Sequence, residues 1–385
     1  EDALRILRGV RFAAQLGFEI DEETKEGMKL LAPTLENISA ERIQVELVKM
    51  LTSDRPELIR TAYELGITKV FLPEFDRMME TKQETLHHMY TVGEHTIHAM
   101  MNVRNDKILR LTMLLHDTGK PEYKTMDEDG VAHFKMHALG SERIAKEVLR
   151  RLKFDNDTLH KVTRLVLNHD YRMPAVPKNV RRAMNKIGED IFPYYMEVRR
   201  ADVLAQSEYQ RAEKLKNLDE VEQTYAEIIE KNSGLLLNLF NDILDLSALE
   251  AGSLKFSIGS VRMRDICARL YHQYCDSVHP GVILVFDEVD PDLCVQGDWD
   301  RISQIWLNLL SNAIKFTSEG EIHFGFERKG GMIQGYVSDT GIGIPVERAA
   351  TIFSRFGKVN DFVQGTGLGL TICRMLVEKM GGRIW

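Results

Sequence analysis

Lys214-Leu-Lys-Asn-Leu-Asp-Glu-Val-Glu-Gln-Thr-Tyr-Ala-Glu-Ile-Ile-Glu-Lys-Asn-Ser-Gly-Leu-Leu-Leu-Asn-Leu-Phe-Asn-Asp-Ile-Leu-Asp-Leu-Ser-Ala-Leu-Glu-Ala-Gly252 is the stretch on which the reading of this chain turns. No proline interrupts it, and Gly234 is its one internal glycine. Leu218, Tyr225, Asn232, Leu239 and Leu246 fall seven apart. Leu215, Glu222, Ile229, Leu236, Ile243 and Glu250 form a companion series. Such spacing keeps side chains on one side of a helix, here with polar interruptions at Glu222, Asn232 and Glu250. The pattern predicts one long amphipathic helix, or two helices broken near Asn232-Ser233-Gly234; a dimerising coiled coil is the other reading. The residues before and after this stretch carry unrelated chemistry.

A chain of 385 residues is long enough for two or three domains with their own cores. With 44% hydrophobic and 28% charged residues it has the composition of an ordinary globular protein. The net charge of −8 gives no overall nucleic-acid signature, although local basic patches remain open. Cys267, Cys275, Cys294 and Cys373 form no CxxC pair, which predicts a reduced, cytoplasmic setting. No apolar run reaches membrane-spanning length, so no membrane contact is expected. The chain opens on Glu1-Asp2 inside a helical pattern and closes on Gly381-Gly382-Arg383-Ile384-Trp385, which reads as the start of a strand. Both ends read as cut.

The first eighteen residues, Glu1 to Phe18, form a helical pattern with Leu4, Leu7, Val10, Phe12 and Ala14 as its stripe and Gly17 as its stop. A second helix is predicted from about Glu22 to Leu31. A third follows Ser39, with Ser39 as cap and Arg42–Glu46 as an i,i+4 pair. Taken alone, Glu1, Asp2 and Arg5 read as a solvated helix face. In sequence context, Glu-Asp-x-x-Arg followed by Ile6-Leu7-Arg8-x-Val10-Arg11-Phe12-Ala13-Ala14-x-Leu16-Gly17-Phe18 resembles the neck of bacterial CCA-adding tRNA nucleotidyltransferases and their poly(A) polymerase relatives. Ile38-Ser39-Ala40-Glu41-Arg42-Ile43 and Glu46 to Leu51 resemble the next motif of that family. The resemblance implies that Glu1, Asp2 and Arg5 act as a protein template for a base edge, a task that carboxylate acceptors and a guanidinium fork can perform. The family's catalytic head would precede residue 1, so nucleotide addition by this chain alone is not expected.

Nine of the twelve histidines lie between His87 and His169. Leu111 to Leu115 is an apolar helix stripe that ends in His116-Asp117-Thr118-Gly119-Lys120. A vicinal His-Asp lets an imidazole nitrogen and a carboxylate oxygen meet one metal ion or a bridged pair. A His-Asp dipeptide by itself is weak evidence. With His95 in Val92-Gly93-Glu94-His95 and Asp202 in Ala201-Asp202-Val203, the set resembles the His…His-Asp…Asp pattern of HD-superfamily metal-dependent phosphohydrolases. The resemblance implies that His95, His116, Asp117 and Asp202 are catalytic and hold a divalent ion. It places His137 and His169 where two-metal relatives supply extra ligands; the alternative is satisfied surface histidines. His87, His88, His98, His133 and His160 read as structural or solvated. Lys120, Arg143, Arg150, Arg151, Arg181, Arg182 and Lys186 would contact phosphates if tRNA is the partner; individually each reads as solvated charge.

Beyond Gly252 the periodicity changes. Val282 to Phe286 reads as a strand and Asp298 to Lys315 as a helix. Ile322–Phe326 and Met332–Val337 read as a hairpin about Gly330-Gly331. This is an α/β sandwich with a mixed sheet. Asn308, Asn312 and Lys315 share a helix face suited to Mg²⁺ and phosphate. Asp339-Thr340-Gly341-Ile342-Gly343 offers a carboxylate beside glycines that permit close approach. Phe353 and Phe356 follow, and then Gly365-Thr366-Gly367-Leu368-Gly369 opens a helix where backbone N–H groups favour phosphate. In this order the four motifs resemble the N, G1, F and G2 boxes of sensor histidine kinases. The resemblance implies ATP as ligand, with Asp339 reading the adenine amino group, Asn312 on Mg²⁺, Asn308 and Lys315 at the phosphates, and Gly365, Gly367 and Gly369 hinging a lid. Leu235 to Gly252 resembles the second helix of the kinase dimerisation hairpin, which implies a homodimer through 235–252. No His occurs between His169 and His272, so autophosphorylation in cis lacks an acceptor.

The expected organisation is therefore 1–85 nucleotidyltransferase-like neck and RNA-binding helices, 86–215 HD domain, 216–256 connecting helix with a seam near 231–234, and 257–385 ATP-binding domain. A mainly α part precedes an α/β sandwich. Three functional readings follow. One is a metal-dependent phosphohydrolase acting on tRNA or another phosphorylated nucleotide. The second is a signalling kinase fragment that only binds ATP. The third is a fusion or assembly artefact of two gene fragments.

Overall fold

A computed structural model of the chain describes residues 3–87, 89–275, 278–287, 292–349, 351–354 and 367–385. They form two compact units, Glu1–Glu230 and Lys231–Trp385. Glu1, Asp2, His88, Phe356 and Gly365 lie outside the described residues.

The first unit is helical. It starts with α1 (Leu4–Leu16), α2 (Glu22–Leu31), α3 (Ala40–Leu51), α4 (Ile59–Glu64), α5 (Thr68–Phe71) and α6 (Pro73–Glu80). Then come α7 (Val92–Met101), α8 (Lys107–Leu115), α9 (Lys120–Tyr123), the short antiparallel pair β1 (Thr125–Met126) and β2 (Ala132–His133), α10 (His137–Arg151), α11 (Asn156–Asn168), α12 (Pro177–Ile187) and α13 (Phe192–Ala205). The helix α14 (Arg211–Glu250) begins in this unit. One continuous core runs from Leu4 to Ile228. At its centre α8 is buried on every side from Ile108 to Leu115, which its near-continuous apolar sequence dictates.

Local signals set α1. Leu4, Leu7, Val10 and Ala14 are buried, and Gly17 ends the helix at φ 72°, a left-handed stop that glycine adopts without a Cβ clash. Phe12, expected in the stripe, faces out instead under the Arg11 guanidinium, because Ile6 and Ala13 fill the buried arc. Ser39 occupies the N-cap position of α3, yet its side chain caps nothing. Glu46, expected to pair with Arg42, turns inward: its carboxylate meets Arg8 Nε at 3.1 Å and Arg11 Nε at 2.7 Å. A carboxylate only 3% exposed takes the partners that reach it inside.

The second unit holds β3 (Gly259–Arg262), α15 (Met263–Tyr274), β4 (Val282–Asp287), β5 (Cys294–Gly297), α16 (Trp299–Phe316), β6 (Gly320–Lys329), β7 (Met332–Asp339), α17 (Val346–Ala349) and α18 (Gly369–Lys379). β4 runs parallel to β6, which pairs antiparallel with β7, giving a mixed sheet. β3 and β5 form a separate antiparallel pair. Ile322, Phe324 and Phe326 alternate inward from β6 and pack with Trp306, Leu310 and Ala313 of α16. A Cβ on Gly335 of β7 would lie 2.8 Å from the Trp306 ring, so that strand needs glycine where the indole crosses it. Arg383 to Trp385 join no strand, contrary to the expectation: no described strand pairs with them, and strand geometry persists only in a ladder.

α14 carries no break at Asn232-Ser233-Gly234. A lone Gly in a helix interior costs only about 1 kcal/mol, too little by itself to end a helix of this length. The seven-residue stripe is not one buried seam. Leu218, Val221 and Ile228 are buried, whereas Leu236, Leu237 and Phe240 are exposed. No described helix is long and apolar enough to cross a membrane.

Candidate metal centre and nucleotide site

Six side chains from five separate places in the first unit converge. His95 comes from α7, His116 caps the C-terminus of α8 with Asp117 next to it, His137 opens α10, His169 caps α11, and Asp202 lies on α13. His95, His116, Asp117, His169 and Asp202 are buried and His137 is nearly so. Two groups of donor atoms result: His95, His116 and Asp117, and Asp117, His137 and His169. Asp117 stands between them. Its Oδ2 lies 3.2 Å from His116 Nε2 and 3.6 Å from His95 Nε2, while Oδ1 lies 3.3 Å from His137 Nε2 and 3.5 Å from His169 Nε2. Asp202 Oδ1 joins the first group, 3.0 Å from His95 Nε2 and 3.9 Å from His116 Nε2.

The second ring nitrogens explain why these atoms point inward. Each Nδ1 faces a backbone carbonyl: Ala205 at 3.3 Å for His95, Met113 at 2.6 Å for His116, Phe134 at 2.8 Å for His137 and Val166 at 2.7 Å for His169. A carbonyl only accepts, so Nδ1–H donates and the Nε2 lone pair is left facing the centre. Those lone pairs then meet other acceptors. His137 Nε2 lies 3.1 Å from His169 Nε2, and His95 Nε2 lies 3.0 Å from the Asp202 carboxylate. A shared cation, a metal ion or a proton, satisfies acceptors that face each other this closely. Both Asp117 oxygens also lack a hydrogen bond of good geometry. Imidazole and carboxylate are donors that suit a divalent transition ion, so the residues present fit one.

The electrostatics agree. Burial pushes the Asp117 carboxyl upward, but the neighbouring His116 and Lys120, with His137 close by, outweigh it and hold it well below the usual range. For Asp202, burial is likewise overcome by His95, His116 and Arg199, and its pKa too falls well below the usual range. Lys120, read from sequence as a surface phosphate contact, is buried and pairs with Asp117 Oδ2 at 2.7 Å and Gln83 Oε1 at 2.9 Å. Its place in Gly119-Lys120, one turn after the dipeptide, was the available signal. Arg199, Gln206 and Lys214 also line the cleft beside Asp117, which has a volume of about 340 Å³. Nothing in their local sequence marked them.

Of the other expected phosphate contacts, Arg143 pairs with Glu122 and Glu147, Arg151 pairs bidentately with Glu74, and Lys186 sits over the Tyr171 ring. Arg5 lies exposed on α1. Among the remaining histidines, His98 stacks on Tyr90 and His133 pairs with Asp127.

In the second unit, Asn308, Asn312 and Lys315 occur on α16 at spacings of four and three, so they share a face. Asn308 and Asn312 are half-buried and Lys315 exposed. A Cβ on Gly369 would lie 3.2 Å from Asn308 Oδ1, so the N-terminus of α18 sits against that amide. Ile342 N donates to Phe316 O, which ties the loop after β7 to the end of α16. Asp339 Oδ1 accepts from Gly341 N at 2.9 Å and from Thr317 Oγ1 at 3.4 Å, which fixes the exposed carboxylate. Gly343 and Gly367 have φ of 68° and 71°. Three of the four sequence motifs thus adjoin in one unit.

Comparisons with known proteins match three parts of the chain. Residues 17–79 match the family described as "Probable RNA and SrmB- binding site of polymerase A", residues 85–239 match the HD domain, and residues 297–385 match the "Histidine kinase-, DNA gyrase B-, and HSP90-like ATPase". Two-component system protein A of Emericella nidulans is 34% identical over 180 residues, covering 43% of this chain and 26% of that protein. Sensor histidine kinase RcsC of Escherichia coli is 37% identical over 159 residues, 40% of this chain and 17% of that protein. The chain therefore spans about a quarter or less of the length of these curated relatives. The catalytic domain of histidine kinase ThkA is similar at 32% identity, covering 34% of this chain and 86% of that one, with a TM-score of 0.31. Modules of two lineages stand in one chain: an RNA-binding and HD part, then a histidine-kinase-type ATPase part.

Proposed function

We propose that the first unit is a metal-dependent phosphohydrolase acting on phosphorylated nucleotides or RNA ends. The observation that carries this reading is the set of inward-facing lone pairs around Asp117, two of which oppose each other at 3.1 Å. His95, His116, Asp117 and Asp202 would hold one divalent ion, and His137 and His169 with the other Asp117 oxygen a second. When bound, such an ion polarises a phosphoryl oxygen and acidifies a water. The protein's own part is to fix the imidazole tautomers through four backbone carbonyls, to keep both aspartates ionised, and to seat Lys120 beside Asp117 as a neighbouring cation. Comparing Mn²⁺-dependent hydrolysis of p-nitrophenyl phosphate by the intact chain and by His116→Ala tests it. The variant is expected to lose at least about a hundredfold, the upper scale of metal-site lesions; equal rates end the reading. The match to an RNA-binding family supports RNA as the substrate class, with Glu1, Asp2 and Arg5 as base contacts.

A second reading concerns Lys231–Trp385. The seating of Gly369 against Asn308 supports ATP binding, with Asp339 accepting from the adenine amino group beside Gly341 and Gly343, Asn312 directed at Mg²⁺, Asn308 and Lys315 at the phosphates, and Gly365, Gly367 and Gly369 hinging a lid. With no His between His169 and His272, ATP binding is the activity retained, and dimerisation through 235–252 is open to test by sedimentation. Asp339→Asn is expected to weaken ATP binding by about tenfold, the scale of one lost charge-assisted hydrogen bond; unchanged affinity refutes the assignment. The fusion itself is tested by the transcript: one uninterrupted message across residues 200–260 refutes an artefactual join.

A further inference from the structure

The wall of the metal-site cleft away from the aspartates carries positive charge that the centre does not use. Lys120 pairs with Asp117, and Arg199 binds His169 O and lies 3.5 Å from Asp202. Lys214 and Arg172 line the same cleft, and neither has a carboxylate partner among the described residues. Apart from Asp117 and Asp202, the one carboxylate among the lining residues is Asp170.

Lys214 is held in place. It projects from the first turn of α14, and its Nζ donates to Gln206 Oε1 at 2.7 Å and to His87 Nδ1 at 3.3 Å. Gln206 in turn donates through Nε2 to Asp202 Oδ2 at 3.1 Å. An ammonium has three donors, and both of these partners are uncharged acceptors, so one N–H remains for a ligand, with Asp202 beyond Gln206 as an opposing charge. The ammonium is half-buried; burial first, and then the Arg172 charge, destabilise its charged form. A partly dehydrated cation next to a second cation is an arrangement that an anion relieves. The Asp202–Gln206 link sets this position relative to the metal ligands.

We propose that Lys214 and Arg172 form a second phosphate subsite beside the metal centre, so that the cleft takes a nucleotide bearing two separated phosphates, such as the last phosphates of an RNA end. This rests on the phosphohydrolase reading for the identity of the first subsite. One phosphate lies at the Asp117 centre and the other against Lys214 and Arg172. The subsite adds affinity and selects length; the residues that hold the reacting phosphate are those named above.

The test uses pyrimidine ligands, which an adenine-reading site in the second unit does not favour. Cytidine 3′,5′-bisphosphate and cytidine 3′-monophosphate are titrated calorimetrically into the full Mn²⁺-loaded chain. The bisphosphate is expected to bind about tenfold more tightly, the scale of one charge-assisted contact. Lys214→Gln is expected to erase that preference while leaving monophosphate affinity within about twofold, Arg172→Gln to reduce it, and Lys214→Arg to restore it. Arg172 is exposed, so its variant keeps the test valid if Lys214→Gln misfolds. Equal affinities for the two ligands in the wild type, or equal losses for both in the variants, overturn the subsite. Failure of the parent reading is seen separately: no Mn²⁺-dependent hydrolysis, with the bisphosphate preference intact.

Discussion

Gly119→Ala is the substitution that most directly tests how the centre is assembled. Gly119 lies between the His116-Asp117 pair and Lys120, in ordinary right-handed geometry (φ −80°, ψ −19°), so the backbone itself tolerates alanine. The obstacle is packing. An added Cβ would meet the His137 carbonyl oxygen and would lie 2.5 Å from Ser141 N, where ordinary contact starts at 3.4 Å. The difference, 3.4 − 2.5, requires α10 to retreat by about 0.9 Å. Gly119 N also donates to Ser141 Oγ at 2.9 Å, so the two segments are tied where they must part. His137 opens α10 and moves with it, away from Asp117 Oδ1, now 3.3 Å from His137 Nε2. The His95–His116 group sits on α7 and the end of α8 and has no such push. Overpacking of this size costs about 1–3 kcal/mol of stability. The sharper readout is metal affinity. Competition with a chromophoric chelator is expected to show two Mn²⁺ ions bound by the wild type. In the variant one ion should bind at least about tenfold more weakly and the other almost unchanged, in line with the sensitivity of metal sites to ligand position. Unaltered binding of both ions, or equal weakening of both, refutes the argument that Gly119 sets the distance between the two groups.

Gly341→Ala places a Cβ 2.8 Å from both Asp339 Oδ1 and the Phe316 carbonyl carbon. ATP affinity is expected to fall by about tenfold or more, read by fluorescent-nucleotide displacement. Glu46→Ala leaves the largely buried Arg11 guanidinium unpaired and is expected to cost about 3 kcal/mol, whereas Arg8→Ala, at a more exposed partner, costs under about 1 kcal/mol. Hydrogen exchange resolved to α1 and α3 measures both. Asp155 caps α11 by accepting from Thr158 N and Oγ1, backbone bond first, and its pKa falls from 3.8 to about 2. A depressed carboxyl stabilises the fold above its unfolded value, and the contribution is lost as pH falls from 3.8 through about 2. The cap is largely exposed, so Asp155→Ala is expected to cost only about 1 kcal/mol at pH 7 and almost nothing at pH 2, in urea melts followed by circular dichroism.

The first three helices, the helix ending in His116-Asp117 and the hairpin about Gly330 were legible because each is decided within a few residues. Apolar spacing selects the helix face, and a glycine that can adopt positive φ ends the element. The candidate metal residues were legible through the resemblance: His116-Asp117 alone is weak evidence, and its order with His95 and Asp202 matches the HD pattern. Where the reading failed, a local rule met a competitor from far along the chain. Glu46 prefers Arg8 and Arg11 over a neighbour on its own helix because burial rewards the partner that can follow it inside. The stripe of α14 has helical spacing throughout, yet spacing says nothing of which part finds a covering surface, and Leu236, Leu237 and Phe240 find little.

By itself, then, the sequence determined the order of the modules, the bounds of the first helices and of several elements in the second unit, and the candidate residues at both sites. These depend on backbone geometry and on chemistry carried by each side chain. Only the tertiary structure decided that Asp117 divides its two oxygens between two histidine groups, that Lys120 is buried beside it, and that Lys214 stands over the cleft. His95 and Asp202 are 107 residues apart and meet at 3.0 Å because α7 and α13 pack on one core, and no local pattern encodes which helices will do so.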